Sequence, residues 1–359
     1  MSKKNSCVTK LSFFAAANGY SGFRSYFDEI FDPLGYTSLY ILKGGPGTGK
    51  SSFMKQLLTE IEPLVEECEA IYCSSDSISL DGVIIKNGDQ RVGIIDGTSP
   101  HSRDPIFPGA IDKIINLGDN WDEKLLSDNI DVITSLGREK TDSYKLAYDY
   151  LSIAGAITKK ADESISRIYR NECNTFVKSL LDRADSGNVC KKVRLVTSFG
   201  KDGFCALNTL GNIASEIYSV VGIYGSEYIF MREIKDTLEK SEIDYTLFPS
   251  ALDASKPDAI FIPSIGVAFT TERSSLFPDD HIIDTSQHLK QDDLFKQSER
   301  LEFLYREREA MLWMSVDQFK KASDAHFKLE KIYSSAMDFS KNDEAYHVCI
   351  SEIKKKMSL

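Results

Sequence analysis

The chain offers no paired metal-binding cysteines, no long apolar run and no excess of positive charge. Its seven cysteines are scattered: Cys7, Cys68, Cys173, Cys190 and Cys349 stand far apart, and neither Cys73 nor Cys205 joins a CxxC pair. Zinc-type spacing is therefore absent, and reduced thiols in the cytoplasm are the expectation. No stretch approaches the roughly 20 apolar residues of a spanning helix, so no membrane is expected. With 43 basic and 54 acidic residues the formal charge is −11, which argues against nucleic acid as a partner. His281, His288, His326 and His347 show no ligand spacing. What remains is an ordinary globular composition, 42% hydrophobic and 27% charged over 359 residues, long enough for two domains.

The N-terminal segment carries two competing signals. Lys3, Lys4 and Lys10 precede the apolar run Leu11–Ala17, which imitates a signal peptide. An internal repeat places that run in a strand instead. Leu39–Met54 aligns without a gap on Glu216–Met231, an offset of 177, and Leu80–Ile85 falls at the same offset on Pro257–Ile262. Gly19–Phe23 matches Gly200–Phe204 after a four-residue shift, Phe107-Pro108 matches Phe277-Pro278, and Ser12–Asn18 then corresponds to Val193–Phe199. The shared order of weak matches carries the repeat. A turn-forming stretch, Asp185–Asn188, precedes an expected strand at Arg194–Ser198. It divides the chain into expected domains 1–187 and 188–359.

The patterning predicts a strand at Leu39–Leu42, then a helix from about Lys50 to Glu62 with Phe53, Met54, Leu57, Leu58 and Ile61 on one stripe. A strand at Ala70–Cys73 follows, and Gly82–Ile85 and Val92–Ile95 flank the hairpin signal Asn87-Gly88. From Ala110 to Ala184 the pattern reads as mostly helical, with Tyr144, Ala147, Tyr148, Leu151 and Ala154 on one face. Leu301, Leu304, Tyr305, Met311, Met314 and Phe319 mark long helices at the other end. The expected fold class is α/β: a P-loop NTPase core with a mainly parallel sheet, duplicated, each half carrying a long-helix appendage.

The chemistry concentrates at Gly44-Gly45-Pro46-Gly47-Thr48-Gly49-Lys50-Ser51, a G-x-x-x-x-G-K-[ST] run between an apolar strand and an amphipathic helix. Glycines let successive backbone N–H groups turn inward as an anion nest, and the helix N-terminus adds its dipole. Gly45, Pro46, Gly47, Thr48, Gly49, Lys50, Ser51 and Ser52 are thus expected around the phosphates of ATP. Lys50 would bridge the β- and γ-phosphates and Ser51 would ligate Mg²⁺. Asp96 ends the apolar run Val92–Ile95 and is the expected second metal ligand; the alternative is a turn cap before Gly97. Gly97 stands where many such ATPases place a catalytic glutamate.

Asp76, just past a neighbouring strand, is a candidate base for a hydroxyl acceptor or an Asx-turn residue. Arg103, with His101, could sense γ-phosphate charge or belong to a solvated loop. Asp81 has a counterpart in Asp258 and reads as structural. In the second half Lys50, Ser51, Gly49 and Gly47 are replaced by Glu227, Tyr228, Ser226 and Tyr224. That half is expected to bind no nucleotide. No N/T-K-x-D motif is present, which favours ATP over GTP.

Together with Cys73-Ser74-Ser75-Asp76, Ser79–Val83, Ile95–His101 and Pro108–Ile111, the glycine run resembles a bacterial family of tandem P-loop proteins labelled ATPase or nucleotide kinase. Relatives can keep a P-loop in the second half, from which this chain departs. The resemblance implies nucleotide binding. The leading expectation is an ATP-binding protein with slow or partner-stimulated hydrolysis, coupling nucleotide state to an unknown partner. The alternatives are a small-molecule or nucleotide kinase and a nucleotide-binding module without turnover.

Overall fold

The computed structural model describes residues 9–170, 175–185, 191–272 and 281–359. The chain opens with β1 (Thr9–Phe14), the hairpin β2 (Ala16–Gly19) and β3 (Gly22–Ser25), and the short helix α1 (Phe27–Ile30). Next come β4 (Ser38–Lys43), α2 (Lys50–Ile61), β5 (Glu67–Tyr72), β6 (Leu80–Asn87), β7 (Gln90–Asp96) and β8 (Asp112–Asn116). Helices α3 (Glu123–Asp128), α4 (Ile130–Ile168) and α5 (Thr175–Leu181) lead to a second series. It runs β9 (Lys191–Val193), β10 (Thr197–Gly200), β11 (Gly203–Ala206), α6 (Leu210–Ile213), β12 (Glu216–Val221) and α7 (Ser226–Lys240). β13 (Tyr245–Pro249), β14 (Pro257–Ile262), β15 (Val267–Thr270) and β16 (Ile282–Asp284) follow, and α8 (Gln291–Ser335) and α9 (Phe339–Lys356) complete the chain.

The architecture is α/β, with two mixed, mostly parallel six-stranded sheets. The first is ordered β1-β5-β6-β7-β4-β8, and the second β9-β13-β14-β15-β12-β16. In the first, β5–β6 and β6–β7 are antiparallel and the other pairs parallel. The second repeats those directions pair for pair.

By contact the described residues form two compact units. One takes the residues up to Ala15, Ser25–Lys145 and Gln318–Leu359; the other takes Ala16–Arg24 and Leu146–Asp317. These are not the two sequence halves, because the divisions fall inside α4 and α8. In the first unit, the α2 stripe Phe53, Met54, Leu57, Leu58 and Ile61 is buried with Tyr40, Leu42, Val83 and Ile85 of the sheet. Tyr346, Cys349, Ile350, Ile353 and Met357 of α9 enter the same core. Full burial of one such aliphatic side chain contributes about 1.5–3 kcal/mol, so the C-terminal helix is integral to the unit that carries the glycine loop.

Several expectations need correction. The stretch expected to be helical from Ala110 begins with β8, a short edge strand in which only Asp112 is buried. Its five residues are too few for periodicity to declare them. The strand expected at Arg194–Ser198 is two strands, one ending at Val193 and one beginning at Thr197. The gapless alignment also slips at the loop. Tyr218 and Val220 face α7 as Tyr40 and Leu42 face α2, an offset of 178, while Phe230 and Met231 repeat Phe53 and Met54 at 177. The connection from β12 to α7 is four residues against six from β4 to α2, and α7 starts one residue earlier relative to its buried Phe-Met pair.

Leu11–Ala17 lies in β1, β2 and the residue between them, and Phe14, Ala15, Ala16 and Ala17 are buried. Cys68, Cys73, Cys205 and Cys349 are free thiols. Cys7, Cys173 and Cys190, the division at Ser186–Asn188 and the match at Phe277-Pro278 lie outside the described residues. Among the described residues no helix is long and apolar enough to cross a membrane.

Candidate functional site

The glycine run connects β4 to α2 at the carboxyl end of the sheet, where ligands of open α/β sheets collect. Its backbone needs glycine: Gly44, Gly47 and Gly49 have φ of +147°, +70° and +83°. Gly49 is the N-cap of α2 and offers no side chain to its first N–H groups, which leaves donors aimed out of the helix end. Thr48 Oγ1 ties the loop by donating to Gly45 O at 2.9 Å. Lys50 folds back over it, Nζ donating to Gly44 O and Gly45 O at 2.8 Å each and standing 3.7 Å from Asp96 Oδ2. Ser51 Oγ accepts from Leu80 N at 3.0 Å. Pro46 is partly exposed, and Ser52, on the outer side of α2, is exposed.

Asp96 ends β7 beside β4, paired in register with Leu42. Its Oδ1 accepts from Thr98 N at 2.9 Å and Thr98 Oγ1 at 2.5 Å, fixing the carboxylate after the strand. Asp81, expected to be structural, stands on the adjacent β6 and joins this group. Oxygens of Asp81 and Asp96 and a nitrogen of His101 lie within 4.8 Å of one another. Burial, then the Asp96 charge, pushes the Asp81 carboxyl up to about 8. His101 stacks on Phe27 at 4.3 Å, and burial holds its pKa below the ordinary histidine value.

Asp76 sits in a turn, its Oδ2 accepting from Ser79 Oγ at 2.8 Å and its carbonyl from Ser79 N at 3.0 Å. Arg103 is buried, which removes the solvated-loop alternative; its Nη1 stands 3.7 Å from Asp28 Oδ1, and its three guanidinium nitrogens have no hydrogen-bond partner.

Residues remote in sequence cover the loop within the same unit. Gly47 packs against α8 at Glu330. Burial, reinforced by Asp76, pushes the Glu330 carboxyl above its usual range, while the Gly47 N–H acts in the opposite direction. A Cβ added at Gly47 would meet Glu330 O at 2.5 Å and Ser334 N at 2.9 Å, and one at Gly45 would meet the Trp121 ring at 3.1 Å. Asn342 Nδ2 donates to Thr48 O at 2.9 Å. His326 Nε2 is 3.6 Å from Glu330 Oε1, and burial pushes His326 down to about 4. Lys140 and Tyr144 of α4 complete this wall, burial lowering the lysine and raising the tyrosine. No local motif announces these groups; only the fold brings residues 121–144 and 326–342 to the loop.

The corresponding place in the other unit is filled by its own side chains. Gly225 is the left-handed N-cap of α7, with φ +84°. Tyr228 Oη donates to Asp258 Oδ1 at 3.2 Å, and Thr197 Oγ1 donates to its Oδ2 at 2.6 Å. Glu227 Oε2 is buried without a hydrogen-bond partner, and burial raises the pKa of its carboxyl.

No protein-family model, curated protein or solved structure matches the chain.

Proposed function

We propose that the first unit binds ATP with a divalent cation, and that nucleotide occupancy is coupled to the end of α8 in a slow or partner-stimulated ATPase. The observation that supports it most is the packing of Gly47 on α8, where an added Cβ would meet Glu330 O at 2.5 Å and Ser334 N at 2.9 Å, with the Glu330 carboxyl close enough to feel the Gly47 N–H. In a P-loop that donor serves phosphate, so nucleotide and Glu330 compete for one place, and helix position then depends on occupancy. The left-handed glycines, the uncapped helix end and Lys50 suit a polyphosphate. The hydroxyl of Ser51 and the carboxylate of Asp96 suit Mg²⁺, an oxygen-seeking ion; when bound, it would neutralise charge on the phosphates. The equal strand orders support reading the second half as a repeat whose own site has closed.

A second reading is a small-molecule or nucleotide kinase. Its support is the polar wall of Lys140, Tyr144 and His326 near Asp76, groups suited to orient a hydroxyl acceptor.

Titration calorimetry with Mg·ATP tests the binding step. Wild type is expected to take one nucleotide per chain, and Lys50→Ala to bind at least about tenfold more weakly while remaining folded, since charge-assisted hydrogen bonds contribute about 1.5–3 kcal/mol each. Equal affinity in a folded Lys50→Ala variant, or a second nucleotide lost on mutating residues 222–228, contradicts this reading.

A further inference from the structure

We propose that Asp81 and His101 join Asp96 as ligands of one cation, and that this mixed oxygen–nitrogen site takes a first-row transition ion of the Mn²⁺ class in preference to Mg²⁺. Three observations converge. The three donor atoms lie within 4.8 Å of one another, close enough for one ion to bridge them after small side-chain adjustments. They come from rigid places: Asp81 and Asp96 on the adjacent strands β6 and β7, which pair in register at Gly82 and Ile95, and His101 five residues past the strand end.

The third observation is the histidine itself. Its side chain is only 7% exposed, yet Nε2 stands 3.9 Å from Asp81 Oδ2, beyond hydrogen-bond range, and Nδ1 is buried with no partner. Nδ1 is the imidazole atom that is buried without a partner; such an unmet polar atom is costly, and a metal ion at its lone pair would meet that demand. Phe27 holds the ring plane from one side, which sets the direction of the lone pair.

The donor set then selects the ion. Mg²⁺ prefers oxygen donors in near-ideal octahedral geometry and sheds water reluctantly. Imidazole favours later first-row ions, and two carboxylates beside it keep Mn²⁺ within range. Lys50 is the competing cation, 3.7 Å from Asp96 Oδ2. A polyphosphate that draws Lys50 away would tighten ion binding. The ion's role in catalysis rests on the nucleotide reading, but its binding does not.

The test uses the full chain without nucleotide. Mn²⁺ is titrated while the free aqueous ion is followed by electron paramagnetic resonance, and bound Mn²⁺ is examined by electron spin echo envelope modulation. The expected result is one Mn²⁺ per chain, retained against an equal concentration of Mg²⁺, with an imidazole ¹⁴N modulation. His101→Gln should remove the modulation and weaken binding about tenfold or more, and Asp81→Asn should weaken it comparably. Lys50→Ala should keep Mn²⁺ even where it loses ATP, which separates failure of this site from failure of the nucleotide reading. Wild type with no bound Mn²⁺, with Mn²⁺ displaced by equal Mg²⁺, or with no imidazole ¹⁴N modulation would overturn the proposal. The wild-type measurement decides even if a variant fails to fold.

Discussion

Lys50 and Asp96 meet in the structure as their positions after β4 and β7 require, and the glycines between β4 and α2 take the left-handed conformations that their composition implies. Those residues are legible in the sequence because strand, loop and helix are contiguous. Asp76 is legible only as a choice between base and Asx-turn residue; its carboxylate accepts from the Ser79 hydroxyl, and the turn there is closed by its backbone carbonyl. A substitution pair separates the two chemistries. In a hydrolytic switch, Asp96→Asn lowers steady-state phosphate release by about 10²-fold or more through lost cation positioning, and Asp76→Asn changes it little. In a kinase, Asp76→Asn leaves ATP affinity intact and removes acceptor-dependent ADP formation, a loss of about 10²–10⁴-fold. The first pattern is the expected one. Acceptor-dependent turnover that vanishes in Asp76→Asn would favour the kinase. Arg103 reads as a charge sensor from its chemistry alone; its neighbour Asp28 lies 75 positions upstream, where no spacing rule connects them.

Among the elements, α8 and α9 show where amphipathic patterning stops informing. The stripe on α8 identifies buried positions such as Leu301 and Phe319, yet Met314, on the same expected stripe, is 42% exposed. A stripe declares that a helix has a buried face and is silent on which sheet receives it. That is why Glu330 and Asn342, nearly 300 residues past the loop, cannot be anticipated as its neighbours. The contact makes a definite expectation. Glu330→Gln keeps the size of the side chain and removes the negative charge facing Gly47, so Mg·ATP affinity should rise about tenfold, the equivalent of about 1.4 kcal/mol. The wild-type carboxyl is protonated more readily than usual, because burial raises its pKa. The gap between wild type and Glu330→Gln should therefore narrow as pH falls through that range, as wild type loses the same charge. Calorimetry at two pH values checks both; an unchanged or weaker affinity in Glu330→Gln would show that the carboxylate does not compete with nucleotide.

For the whole molecule, the sequence repeat and the compact units describe different divisions. The repeat expected from the sequence follows the order of strands, and the two sheets have the same strand order. The units follow packing, so the unit with the glycine loop recruits Gln318–Leu359 from the far end of the chain. Repeat matching reads correspondence along the chain and carries no information on which core a helical extension enters. The central claim is that ATP and the end of α8 contend for the loop of that first unit. Hydrogen exchange on the full chain, with and without saturating Mg·ATP, tests it most directly. The expected result is slower exchange at the backbone amides of residues 47–53, which gain phosphate as a partner, and faster exchange across residues 326–342 as Glu330 is displaced. Saturating nucleotide with protection at 47–53 and unchanged exchange across 326–342 would contradict it.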